Sequence, residues 1–183
     1  MPKVVIPEST GSSADRAGRP STSSDPPPSP ALPRGKATPL DEVRLLLAEG
    51  RCEEALKIAR RHEAGGAEMR NAMGVCLLRL GRIDQALTVF RPLAMSGGGF
   101  VLRSDSLAKY KINFATTLLR LGQVAGCEGA LREVGHEDDP QVRRLRQAIA
   151  RWKKSLGRWE RAQWWFGSPL ETPVHLDEPL GEV

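Results

Sequence analysis

The chain has 183 residues, of which 40% are hydrophobic and 5% aromatic, and a formal net charge of +5. That length provides one domain with residues to spare. No stretch is apolar enough to span a bilayer, "KVVIP" at the start is too short for a signal-peptide core, and three cysteines in apolar helical contexts read as small buried residues rather than a disulfide framework, so the expectation is a soluble, cytoplasmic protein.

Residues 1–37 are expected to form a disordered Pro/Ser-rich tail. Nine of the 14 prolines precede residue 40, mixed with Ser, Thr and Gly in "STGSSADRAGRPSTSSDPPPSPALPRG". Such a stretch has too little apolar surface to offset the entropy of ordering. The Pro-rich "SDPPPSP" reads first as linker and second as a polyproline segment for an aromatic groove.

From residue 38 to 166 the text changes to Leu, Ala, Arg and Glu at helical spacing. Thr38 as N-cap, Pro39 at the first helical position and Asp41 completing a capping box predict a helix that Gly50 stops, with Val43, Leu46 and Leu47 on its apolar stripe. A second helix follows from about Cys52, with Ala55, Leu56, Ile58 and Ala59 inward, and "AGG" at 64–66 breaks it. The next pair places Met69, Met73, Val75, Cys76, Leu77 and Leu80 before Gly81, then Ile83, Ala86, Leu87, Val89, Phe90 and Leu93 after it. "SGGG" at 96–99 reads as a flexible break. A third pair is expected to start from a Ser104 cap, with a short, weak second helix because Gly126 and Gly129 each cost about 1 kcal/mol relative to Ala. A fourth starts at Asp139 and Pro140, runs through Val142, Leu145, Ile149 and Leu156 to Gly157, and ends at Phe166. No strand pattern interrupts this region, and the fold class is all-α. Residues 167–183, with four acids and no Lys or Arg, are expected to form an acidic, mostly extended tail.

The same phrase recurs: "LAEGRCEEALKIA", "LRLGRIDQALTVF", "LRLGQVAGCEGAL" and "KSLGRWERAQWWF". The glycines at 50, 81, 122 and 157 are 31, 41 and 35 residues apart, a period typical of stacked supersecondary units. This phrase structure resembles the tetratricopeptide repeat family. Its units are two antiparallel helices, with a small residue where they cross, a Gly in the turn, and an Ala followed by a large apolar residue four positions on. Gly74, Leu77, Gly81, Ala86 and Phe90 match best. Ala115, Leu118, Gly122, Cys127 and Leu131 match in the third unit, and Ala150, Gly157, Ala162 and Phe166 in the fourth. In the first, Leu46, Gly50, Ala55 and Ala59 match but Val43 stands at the small position. The family's usual Trp early in the first helix is missing. The resemblance implies a short right-handed superhelical solenoid.

Chemistry-bearing constellations are scarce. "HEDD" at 136–139 sits at a helix start, where acids cap, so no metal is assigned. No Cys stands beside a plausible His base, "SGGGF" lacks the Gly-Lys-Ser/Thr ending of a phosphate cradle, and no cofactor or catalytic residue is assigned. Trp152, Trp159, Trp164 and Trp165 lie in a basic segment; residues 143–161 hold eight bases and one acid, Glu160. Trp159 and Phe166 match core positions, while Trp164 and Trp165 are adjacent and cannot both be core.

The resemblance implies a non-enzymatic protein–protein interaction scaffold or adaptor; a sharper form is a small chaperone or accessory of a bacterial secretion system. In the family the first helix of each unit lines a concave groove. Counted from the turn glycines, the groove positions hold Arg44, Asn71, Val75, Arg79, Lys109, Asn113, Thr116, Arg120, Arg144, Gln147, Arg151 and Lys154. The expected partner is a protein or acidic peptide, with this chain's own "HLDEPLGEV" as a candidate occupant. Some members grip a terminal carboxylate with Lys, Asn and Arg on successive units; only Asn113 and Arg144 fall at matching places here. The alternatives are a nucleic-acid-binding protein using the basic Trp-rich segment 143–166, since aromatics and bases together make a stacking platform, and a regulatory subunit of an enzyme complex.

Overall fold

The computed structural model describes residues 37–97, 101–166, 174, 176 and 181–183. The expected N-terminal tail and most of the expected acidic tail lie outside the described residues. Those that are described belong to one unit, Gly35–Val183.

Among them the chain makes eight α-helices and one 3-10 turn: α1 Pro39–Ala48, α2 Cys52–Arg61, the 3-10 turn Glu63–Gly65, α3 Gly66–Arg79, α4 Ile83–Ala94, α5 Ala108–Arg120, α6 Val124–Val134, α7 Pro140–Ser155 and α8 Arg158–Trp165. Local signals start two of them. The Thr38 hydroxyl accepts from the Asp41 amide at 3.2 Å, and the Asp41 carboxylate accepts from the Thr38 amide at 3.1 Å. Asp139 accepts from the amides of Gln141 (2.8 Å) and Val142 (3.3 Å), with Pro140 at the first helical position.

Three of the recurrent glycines make one and the same turn. Gly50, Gly81 and Gly122 have φ of 76°, 73° and 73°. In each, the Gly amide bonds the carbonyl three residues back, and the next amide bonds the carbonyl five back, at 2.9 Å for Arg51–Leu46, Arg82–Leu77 and Gln123–Leu118. This is the Schellman end of a helix, which a left-handed glycine closes. Gly157 departs from the pattern. It has φ −65° and caps α8 from outside, its amide donating to the Glu160 carboxylate at 2.7 Å.

Each helix from α1 to α7 packs on the next, and α1 on α3, α3 on α5 and α5 on α7. The stripes read from the sequence supply the core: Val43, Leu46, Leu47, Ala55, Leu56, Ala59, Met69, Met73, Cys76, Ala86 and Phe90 are all buried. α5 lies deepest, with every residue from 111 to 119 buried. Its hydroxyls are satisfied within the helix, Thr116 donating to the Ile112 carbonyl (2.9 Å) and Thr117 to that of Asn113 (2.8 Å).

Several expectations are corrected. α5 does not begin at a Ser104 cap; Leu107 is the N-cap. The preceding residues are committed elsewhere: Met95 and Leu102 form an antiparallel bridge, Arg103 donates its amide to the Ala94 carbonyl, and the Ser106 hydroxyl donates to Leu93 O at 2.8 Å. The break expected at 96–99 is thus closed on both flanks, while residues 98 and 99 lie outside the described residues. α6 is not short, at 11 residues; its buried stripe of Val124, Cys127, Ala130, Leu131 and Val134 outweighs the two glycines. In the fourth phrase Ala150 is exposed, and the α7 core face is Val142, Leu145, Ala148, Ile149 and Trp152.

Trp159 and Phe166 are not core residues: they are 75% and 87% exposed. Gly157 caps α8 directly, so this helix starts one residue after its glycine where α4 starts two after Gly81, and the inward phase of the other units does not carry over to it. Trp164 takes the inward position, edge-on to Trp152 with ring centroids 5.3 Å apart.

Candidate functional site

Asn71 on α3 and Asn113 on α5 are fully buried, at 0% and 1% exposure. A buried amide without partners is costly, so both must be satisfied from within. They satisfy each other in part: Asn113 Nδ2 donates to Asn71 Oδ1 at 2.8 Å. The remaining capacity goes to the main chain of one residue, Glu182. The Glu182 N–H donates to Asn113 Oδ1 at 3.0 Å, and its carbonyl accepts from Asn113 Nδ2 and from Asn71 Nδ2, both at 2.8 Å. Asn113 therefore offers Glu182 the donor and acceptor that a neighbouring β-strand would.

Two further side chains complete the grip. Arg79, at the end of α3, donates to Leu47 O at 2.9 Å and to Gly181 O at 3.3 Å. Gln141, at the start of α7, donates to the Glu182 carboxylate at 3.0 Å. Gly181 is buried with φ 76° and lies against Val75. Val174 is buried, and Leu176 and Val183 pack partly buried against the core.

The groove positions read from the sequence divide into groups. Asn71, Arg79 and Asn113 come together on Gly181–Glu182. Arg44 and Lys109 converge on Glu68, at 3.5 Å and 2.7 Å. Tyr110 donates to the same carboxylate at 3.0 Å, and Lys109 Nζ stands 5.6 Å from the centroid of the Tyr110 ring. The Lys109 bond, with help from Tyr110 and Arg44 and against partial burial, holds the Glu68 carboxyl below the usual glutamate range. Burial and the bond to Glu68 push the Tyr110 phenol up to about 12. Arg120, Arg144, Gln147, Arg151 and Lys154 are exposed on α5 and α7; Thr116 is buried and bonds within its own helix.

The described part of the acidic segment is held through its backbone by two neutral amides and the Arg79 guanidinium, and the carboxylate of Glu182 is met by Gln141. Sequence reasoning missed Gln141 and the role of Val75. The only sequence signal for Gln141 was its place in the first turn of α7, on the helix that neighbours α5.

Two of the three cysteines lie in the core. Burial pushes Cys76 and Cys127 up to about 12. Among the described residues no group of three or more His, Cys, Asp or Glu is arranged to hold a metal, and no helix is long and apolar enough to cross a membrane. At the start of α7, Asp139 serves as cap and Glu137 pairs with Arg146 at 2.9 Å. No protein-family model matches the chain, and comparison with curated proteins and with solved structures gave no match.

Proposed function

We propose that the protein is a non-enzymatic protein-binding scaffold whose α3–α5–α7 face takes an extended peptide by its main chain, within a solenoid of stacked helical pairs similar to tetratricopeptide repeats. The observation that carries the reading is the Asn113 amide bonded to both the N–H and the C=O of Glu182. Two buried asparagines on neighbouring helices are costly in a core, and a peptide backbone repays both at once. The three glycine turns with one hydrogen-bond pattern and the packing of α1 on α3, α3 on α5 and α5 on α7 support the solenoid.

Affinity capture with the full chain as bait tests the reading. A protein retained in stoichiometric amount by the wild type and lost with a folded Asn113→Ala bait supports it. A partner retained equally by both baits places binding elsewhere.

A second reading rests on α8. Trp159, Trp165 and Phe166 are 75%, 89% and 87% exposed, next to exposed Arg158 and Arg161. Exposed aromatics among bases suit stacking with single-stranded nucleic acid. Salt-dependent binding of a homopolymeric RNA, lost in Trp159→Ala/Trp165→Ala, would favour it.

A further inference from the structure

Gly181 has φ 76°, a region that side-chain-bearing residues adopt at a cost. It is also sterically read. A Cβ added there would stand 3.1 Å and 3.3 Å from the Val75 Cγ2 and Cγ1 atoms and 3.4 Å from Asn113 Oδ1. Val75 is completely buried and cannot give way freely. The next residue is gripped by its backbone on both sides, while its exposed side chain accepts from an amide donor, Gln141 Nε2. The residue after it, Val183, packs partly against the core, as does Leu176, with Val174 buried.

Resting on the peptide-binding reading above, we propose that this site is selective for glycine followed by an acidic and then an aliphatic residue. Gly181–Val183 is the chain's own copy of that pattern, and it competes with a partner protein's segment of the same kind. Val75 is the specificity-determining residue, since its buried methyls stand within 3.3 Å of where any side chain at the glycine position would begin. Asn71 and Asn113 supply affinity without reading sequence. A tethered copy is presented to the site at an effective concentration on the order of millimolar, so the wild-type chain resists an outside segment until that segment is tight or abundant.

The test uses the full chain and a labelled peptide of residues 172–183, capped at both ends so that only the internal pattern is read. Two variants evict the cis segment by different routes. Gly181→Val introduces bulk against Val75, and Glu182→Pro removes the N–H that Asn113 accepts. Circular dichroism selects whichever keeps its helices. The evicted chain should bind the peptide at least about tenfold more tightly than the wild type, and adding Asn113→Ala should abolish binding. A peptide with Gly181→Ala should bind at least about tenfold more weakly, given the penalty for a left-handed alanine and its contact with Val75. That gap should narrow when the evicted chain also carries Val75→Ala.

Equal binding of the glycine and alanine peptides would overturn the sequence rule while leaving the backbone-binding site standing. Equal binding by wild-type and evicted chains would overturn the competition. Concentration-dependent dimers of the wild type that dissociate on eviction would place the segment in a second copy and overturn it as well. No binding of any peptide by a folded, evicted chain would overturn the peptide-binding reading itself.

Discussion

Gly74 lies against the tip of the Phe90 ring: a Cβ added at residue 74 would stand 2.5 Å from Phe90 Cζ and 2.6 Å from Cε1. The ring is itself fully buried, so neither partner has room to move. Here α3 and α4 approach as closely as a bare backbone allows. Gly74→Ala should therefore destabilise the protein by about 1–3 kcal/mol despite its better helix propensity. Ala86→Leu, at a fully buried position on α4, should act likewise, and Gln85→Leu, on the exposed face, should not. Urea denaturation midpoints of the three variants decide it.

The same substitution should have opposite signs at two other glycines. Gly81 has φ 73° with nothing within 4 Å of an added Cβ, so its cost is conformational, about 1–2 kcal/mol on Gly81→Ala. Gly129 lies inside α6 in ordinary helical geometry, also with open space around it. Gly129→Ala should stabilise by up to about 1 kcal/mol. Thermal melts of the two variants should move in opposite directions.

Glu68 gives the fold a pH-dependent link between α3 and the residues Arg44 and Lys109. Its folded-state pKa is lowered, so its contribution is present above the unfolded glutamate value and is lost as pH falls through the folded one. The stability difference between wild type and Glu68→Gln should be measurable at neutral pH and should shrink as the pH is lowered through the depressed folded-state value. A difference that persisted in acid would mean that packing, not charge, carries the effect. Tyr110→Phe should reduce the same difference, because it removes one of the bonds that favour the ionised carboxyl.

The thiols should separate by reactivity. Cys76 and Cys127 are fully buried with pKa pushed up to about 12, whereas Cys52 is half-buried at the start of α2. A thiol reagent added to native protein should label Cys52 first. The other two should follow only at the rate of global or local opening. Labelling of all three at one rate in native buffer would contradict this packing.

What was legible in the sequence was local. Thr38 with Asp41, and Asp139 with Pro140, act within three residues, and glycines in a repeated phrase disclose a repeated turn because only the left-handed conformation closes the helix that way. Apolar stripes gave the core because burial follows the helical period. Features that depend on distant commitments were not legible. Ser104 reads as a cap, but nothing near it announces that the chain from Ala94 to Arg103 pairs with itself. The phase of α8 looked continuous with the other units until Gly157 proved to be a cap. At the site, the register singled out Asn71, Arg79 and Asn113, yet what they hold lies 111, 102 and 69 residues away, and its main chain carries no side-chain signature. The basic composition pointed to charge as the recognition currency. The two buried amides that share the contact with Arg79 are too few to register in any composition.

The placement of Gly181 and Glu182 has a mechanical consequence. One short segment is bonded at once to α3 through Asn71 and Arg79, to α5 through Asn113 and to α7 through Gln141. It acts as a cross-brace over three helices that otherwise meet in pairs. Sliding or splaying any one of them against the others must stretch several of those bonds together. An occupied site is thus a stiffer spring than an empty one, and whatever removes the brace changes the compliance of the array as well as the chemistry it displays.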